Sequence, residues 1–128
     1  AASFIRQFAA RVPNRFIDVI ALHPYAKNTA TLRGIMREFR AAANRAGLRS
    51  KPIYVTEIGW SSGPRRNSFL LGSQRAQANQ LSSAFTYLLR DRHRLKLRKV
   101  FWFAWKDTNP RGENCSFCYN IGLFAWRK

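Results

Sequence analysis

The sequence has 128 residues, 46% hydrophobic and 14% aromatic, which suffices for one domain with a buried core and excludes a disordered chain. Its 23 Lys and Arg against six acids give a formal charge of +17, so an anionic partner such as nucleic acid is a rival reading from the start. No run of about 18 apolar residues occurs, which excludes a membrane-spanning helix.

In chain order, Phe4, Phe8 and Val12 recur at helical spacing and Pro13-Asn14 ends that pattern, predicting a first helix. The apolar run Phe16 to Leu22 reads as a buried strand that ends in His23-Pro24-Tyr25. From Thr31, the set Leu32, Ile35, Met36, Phe39, Ala43 and Ala46 follows a 3.6-residue period and predicts a second helix, with Gly47 as its stop. Lys51-Pro52 leads into Ile53 to Ile58, a β-branched run closed by Gly59.

Ser61 to Gly72 is a loop of Ser, Gly, Pro, Asn and Arg, longer than the usual connection of about 2 to 6 residues. A third helix is predicted after it, capped by Ser73, with Ala78, Leu81, Phe85, Leu88 and Leu89 facing inward. Lys99 to Trp105 is the last strand, and the tail from Lys106 reads as loop. Strands alternating with helices predict an α/β fold with a parallel sheet built from βαβ units.

The Arg residues are spread through the predicted helices at Arg33, Arg37, Arg40, Arg45 and Arg49 and again at Arg90, Arg92, Arg94 and Arg98, in an Ala-rich background. A general preference for Arg codons produces the same statistic, so charge alone does not assign a nucleic-acid function.

In a parallel barrel the functional face lies at the C-terminal strand ends. Three such ends are present: His23-Pro24-Tyr25, Thr56 to Trp60 and Trp105-Lys106-Asp107. Glu57 is an acid near the C-terminal end of a predicted strand, and alternation places it on one face with Ile53 and Val55, with Tyr54, Thr56 and Ile58 opposite. A carboxylate in an apolar run costs several kcal/mol unless hydrogen-bonded or paired, so it calls for a chemical role or for an arginine partner.

The segments DVIALHPYA (Asp18 to Ala26), KPIYVTEIGWSS (Lys51 to Ser62) and VFWFAWKD (Val100 to Asp107) resemble strands six, seven and eight of clan A glycoside hydrolases, particularly bacterial family 5-like and family 39-like enzymes. The likeness covers about residues 3 to 124, and its most specific part is the T-E-x-G-W motif around Glu57.

The resemblance implies a partial (β/α)8 barrel, of which residues 1–128 are the C-terminal part. A complete barrel needs about 250 residues. The chain begins in a helical pattern without Met and stops at Trp126-Arg127-Lys128, so both ends are expected to be cuts. The implied reaction is retaining hydrolysis of a β-linked polysaccharide or oligosaccharide, without metal or cofactor.

Glu57 resembles the nucleophile, and a second carboxyl about 5 to 5.5 Å away must protonate the leaving oxygen. In the family that acid lies in an Asn-Glu pair after strand four, and no such pair occurs here, so the remaining N-terminal half of the barrel is an expected partner. His23 and Tyr25 match positions beside the nucleophile, and Trp105 resembles a sugar-stacking platform. Trp60 and Asp107 are further substrate-binding candidates, each with an alternative: Trp60 as packing, Asp107, like Glu113, as a solvated loop acid. Trp102 is expected to pack.

Cys115 and Cys118 form a C-x2-C that reads as half a zinc site, a redox motif or a local loop staple. The missing second ligand pair favours the staple. Similar cysteines in the bacterial relatives agree with it, and a secreted or cell-surface parent is expected.

Overall fold

The computed structural model describes residues 1–63, 72–108 and 118–126. Helix α1 (Ala2–Ala9) and a 3-10 turn (Asn14–Phe16) precede strand β1 (Ile20–Leu22); then come α2 (Thr29–Arg45), β2 (Ile53–Ile58), α3 (Gln74–Arg90), the short α4 (Arg92–Leu95), β3 (Leu97–Trp102) and a second 3-10 turn (Cys118–Asn120). The strands lie parallel in the order β1-β2-β3, with Ile20 opposite Ile53 and Val55 opposite Val100. This is the α/β arrangement of part of a (β/α)8 barrel.

Local chemistry sets the helix ends. The Asn28 side chain accepts the Thr31 N–H at 2.9 Å and starts α2 at Thr29, two residues before the periodicity alone suggests. Past its C-terminus Gly47 takes φ +78°, where a side chain would be strained, and its carbonyl accepts the Asn14 amide at 3.2 Å. Ser73 caps α3 as the sequence predicts, accepting the Ala76 N–H at 3.2 Å.

Arg40, read from sequence as one of a spread of helix arginines, is buried. Its guanidinium donates to Asn44 Oδ1 at 3.0 Å, to the Lys51 carbonyl at 2.9 Å and to the Leu48 carbonyl at 2.7 Å. The turn between α2 and β2 is thereby fastened to the helix, and burial lowers the Arg40 pKa from its ordinary value.

The core lies between the helices and one face of the sheet: Ile20, Leu22, Ile53, Val55 and Leu97 join Leu32, Met36, Phe39, Ala84, Leu88 and Leu95. On the other face Ala21, Lys99 and Phe101 are exposed, and the Lys99 ammonium lies 5.2 Å from the Tyr54 ring centroid.

Four sequence expectations are corrected. First, Phe4, Phe8 and Phe16 are exposed, and α1 buries Ile5 instead; Phe4 and Phe8 stack on each other at 5.8 Å. Second, β1 starts at Ile20, because the 3-10 turn takes Asn14–Phe16. Third, α3 buries Ala84, Tyr87 and Leu88, while Ala78 and Leu89 are exposed. Its inward stripe continues through Gln77 and Gln80, polar residues that apolar periodicity passes over. Fourth, β3 spans Leu97–Trp102, so Trp105 lies three residues beyond the strand.

Candidate active site

The register that pairs Leu22 with Val55 carries the chain after β1 alongside Thr56 to Ile58. Buried Pro24 holds that segment in place, and the flanking side chains reach one carboxylate. The Tyr25 hydroxyl donates to Glu57 Oε2 at 2.9 Å, and His23 Nδ1 lies 3.5 Å from the same oxygen. The His23 and Tyr25 rings meet edge to face at 6.5 Å. His23 and Glu57 keep side-chain exposures of 50% and 36%, so the group is open to a ligand.

Glu57 does not share a face with Ile53 and Val55, as simple alternation predicts. The β2–β3 register is irregular between Val55 and Ile58, and the buried phase passes from Ile53 and Val55 to Ile58. Thr56 and Glu57 are thus consecutive half-buried residues, and the carboxylate turns away from the helix-covered core.

Tyr25 is held as a neutral donor. Burial of its hydroxyl pushes its pKa above the usual value of 10.0, and the hydrogen bond to Glu57 and the charge of that carboxylate push the same way.

Gly59 explains part of the motif physically. A Cβ there would stand 2.1 Å from the Phe103 carbonyl oxygen, so β2 and the chain after β3 close on each other only over a glycine. Trp60, a substrate-binding candidate from sequence, is 2% exposed and donates its indole N–H to the Ala26 carbonyl at 2.8 Å. A ring so enclosed offers no face to a sugar, and its role here is packing, with Trp102 tilted against it at 6.1 Å.

Trp105 is 72% exposed and leans on Phe124 at 4.7 Å, beside Lys106, whose ammonium lies 4.9 Å from the Trp126 ring. Asp107 accepts the Gly122 N–H at 2.8 Å while its own N–H donates to the Phe124 carbonyl at 2.9 Å, which fastens the C-terminal loop. Asp107 is thus half-buried, with one carboxylate oxygen committed to the loop backbone.

The sequence also gives no sign of Gln77. Its amide donates to the carbonyls of Trp60 at 2.8 Å and of Ile121 and Gly122 at 3.3 Å each, joining α3, the end of β2 and the last loop. Cys118 is disulfide-bonded; Cys115 and Glu113 lie outside the described residues, as does most of the loop from Ser61 to Gly72. Among the described residues no three His, Cys, Asp or Glu side chains gather as a metal site.

A half-exposed carboxylate with a phenol and an imidazole at the C-terminal end of parallel strands is where a barrel enzyme acts. A family model described as glycosyl hydrolase catalytic core matches residues 1–121. The chain belongs to the glycosyl hydrolase catalytic core family. A solved structure of a β-glucuronidase from Ruminococcus gnavus superposes with a TM-score of 0.55 at 17% identity. That alignment covers 84% of this chain and 19% of the β-glucuronidase chain. At this identity the likeness supports the fold alone. No curated protein sequence matches. The described residues contain no helix long and apolar enough to cross a membrane.

Proposed function

We propose that this chain forms the C-terminal part of a retaining glycosidase barrel and supplies its nucleophile, Glu57. The observation that carries the reading is the 2.9 Å hydrogen bond from Tyr25 to Glu57 at the C-terminal end of adjacent parallel strands. Glu57 attacks the anomeric carbon while the leaving oxygen takes a proton from a second carboxyl, contributed by the remaining half of the barrel. Water then releases the sugar from the glycosyl-enzyme. Tyr25 fixes one carboxylate oxygen, so the other is left to attack, and His23 borders the same oxygen.

Trp105, exposed and backed by Phe124, offers an indole face to the apolar side of a pyranose. The ordered motifs around Asp18, Glu57 and Val100 favour a clan A enzyme of the family 5 or family 39 kind acting on a β-linked glycan. The disulfide at Cys118 agrees with a secreted or cell-surface parent, since disulfides persist in oxidising compartments.

A 2-deoxy-2-fluoro-β-glycoside with a dinitrophenolate leaving group tests this in an enzyme that carries both carboxylates. Such a leaving group needs no proton, and the fluorine slows release. Peptide mass mapping should find the sugar on Glu57. A label on any other carboxylate ends the nucleophile assignment.

A further inference from the structure

Opposite the carboxylate, the N-terminal end of the sheet holds a cavity of about 480 Å³ lined by Ser50, Pro52, Arg92, His93, Lys96 and Arg98, with Leu97 at its wall. Glu57 lies five residue steps along the chain from Pro52, about 16 Å at the usual rise of about 3.3 Å per residue, so this is a different place from the candidate active site. The backbone gathers the cations. The four-residue α4 projects Arg92 and His93, Lys96 turns the chain with φ 53°, and β3 begins at once with Leu97 and Arg98.

No acidic residue among the described ones lines the cavity. Asp91, the nearest acid in sequence, is already engaged by Arg90 and Arg94. Among the described residues Arg92, Lys96 and Arg98 make no ion pair, and Arg92 reaches only the Leu89 carbonyl, at 3.2 Å. Like charges drawn into one concavity repel each other and concentrate a positive potential, and nothing in the described chain offsets it.

We infer that this cavity is a binding site for a small, multiply charged oxyanion of the phosphate class. Two guanidinium forks match such oxygens in a bidentate way, with an ammonium and an imidazole as further donors. The volume falls within the range of about 300 to 1,000 Å³ typical of small-molecule sites. The concave shape favours a compact ligand over the rail of phosphates along a duplex, which flat basic surfaces suit better.

Isothermal titration of the full chain with inorganic diphosphate and with inorganic phosphate, at low ionic strength, tests the inference. Saturable one-to-one binding is expected, tighter for diphosphate. R92Q/R98Q should weaken it by at least about tenfold, the loss of one or two charge-assisted hydrogen bonds. The charge-matched control R6Q/R37Q, altering exposed arginines of α1 and α2, should leave it unchanged. Should the double variant fail to fold by circular dichroism, the single variants R92Q and R98Q carry the same comparison. Equal weakening in the control, or binding that persists in R92Q/R98Q, overturns the site in favour of unspecific charge. Duplex DNA that displaces diphosphate with a steep salt dependence overturns the small-ligand reading.

Discussion

The two ends of the parallel sheet are built on opposite plans. At the N-terminal end, buried Arg40 holds the carbonyls of Leu48 and Lys51 as the chain enters β2, and Asn14 holds the carbonyl of Gly47. At the C-terminal end, the polar groups converge on Glu57 and remain partly open to solvent. One end directs its side-chain hydrogen bonds to backbone carbonyls where the chain turns into the sheet, and the other to a half-exposed carboxylate. This division accords with barrel enzymes, in which the N-terminal face serves stability and the C-terminal face chemistry.

The largest expected effect separates the two ends outright. In an enzyme with both carboxylates, Glu57→Gln should lower turnover by several orders of magnitude while the melting temperature stays within a few degrees. The amide is nearly isosteric yet cannot attack the anomeric carbon. In Glu57→Ala, which does vacate the position, added azide should enter it and give an α-glycosyl azide. Retained kcat in a destabilised protein would make Glu57 a structural residue and erase the contrast.

Arg40→Ala should show the reverse. It takes a donor from the half-buried Lys51 carbonyl and one of two donors from the buried Leu48 carbonyl, which keeps the Lys51 N–H at 3.1 Å; a buried polar group left unsatisfied costs about 1 to 3 kcal/mol, so a loss of about 2 kcal/mol is expected. Denaturant unfolding measures it. Activity per folded molecule in the complete enzyme should stay near normal. A variant as stable as the parent would show that water replaces the guanidinium.

The sequence made the parallel order, the helix stops and the carboxylate legible, because each rests on a local rule. The β-branched run Ile53 to Ile58, the cap at Ser73 and the glycine at position 47 all act within a few residues. Less legible was whatever depends on distant chain. Trp60 reads as either a binding or a packing residue until Ala26 takes its N–H, Asp107 reads as a substrate contact or a solvated loop acid with no sign of its bond to Gly122, and the face of Glu57 depends on a register irregularity between strands. Arg40 and Gln77 carry no apolar signal, so periodicity cannot mark them as interior.

Tyr25→Phe should have a smaller effect on the C-terminal end. Removing the donor leaves the Glu57 oxygen free to rotate, and the loss of a hydrogen bond to a charged group predicts about a tenfold fall in kcat, with KM little changed. An equal fall in thermal stability with no change in kcat would place Tyr25 with Arg40, among the groups that only hold the fold.

The smallest effect is one of pH, and its sign follows from which state holds the phenolic proton. Burial, then the hydrogen bond and charge of Glu57, raise the Tyr25 pKa in the fold above the value of 10.0 that the unfolded chain keeps. Below about pH 10 both states are protonated, so Tyr25 adds no slope. Above it the unfolded chain releases the proton first and binds fewer than the folded one, so stability falls as pH rises toward the folded pKa. Tyr87, also raised and also led by burial, adds to the same alkaline loss. Thermal melts of the chain and of Tyr25→Phe from pH 8 to 11 should therefore run parallel at first, then diverge, with the variant losing less per pH unit. Tyrosinate absorbance should show the matching loss of one late-titrating phenol. Identical alkaline slopes would mean that the hydroxyl is hydrated in solution, and the Tyr25–Glu57 contact would no longer distinguish the two ends of the sheet.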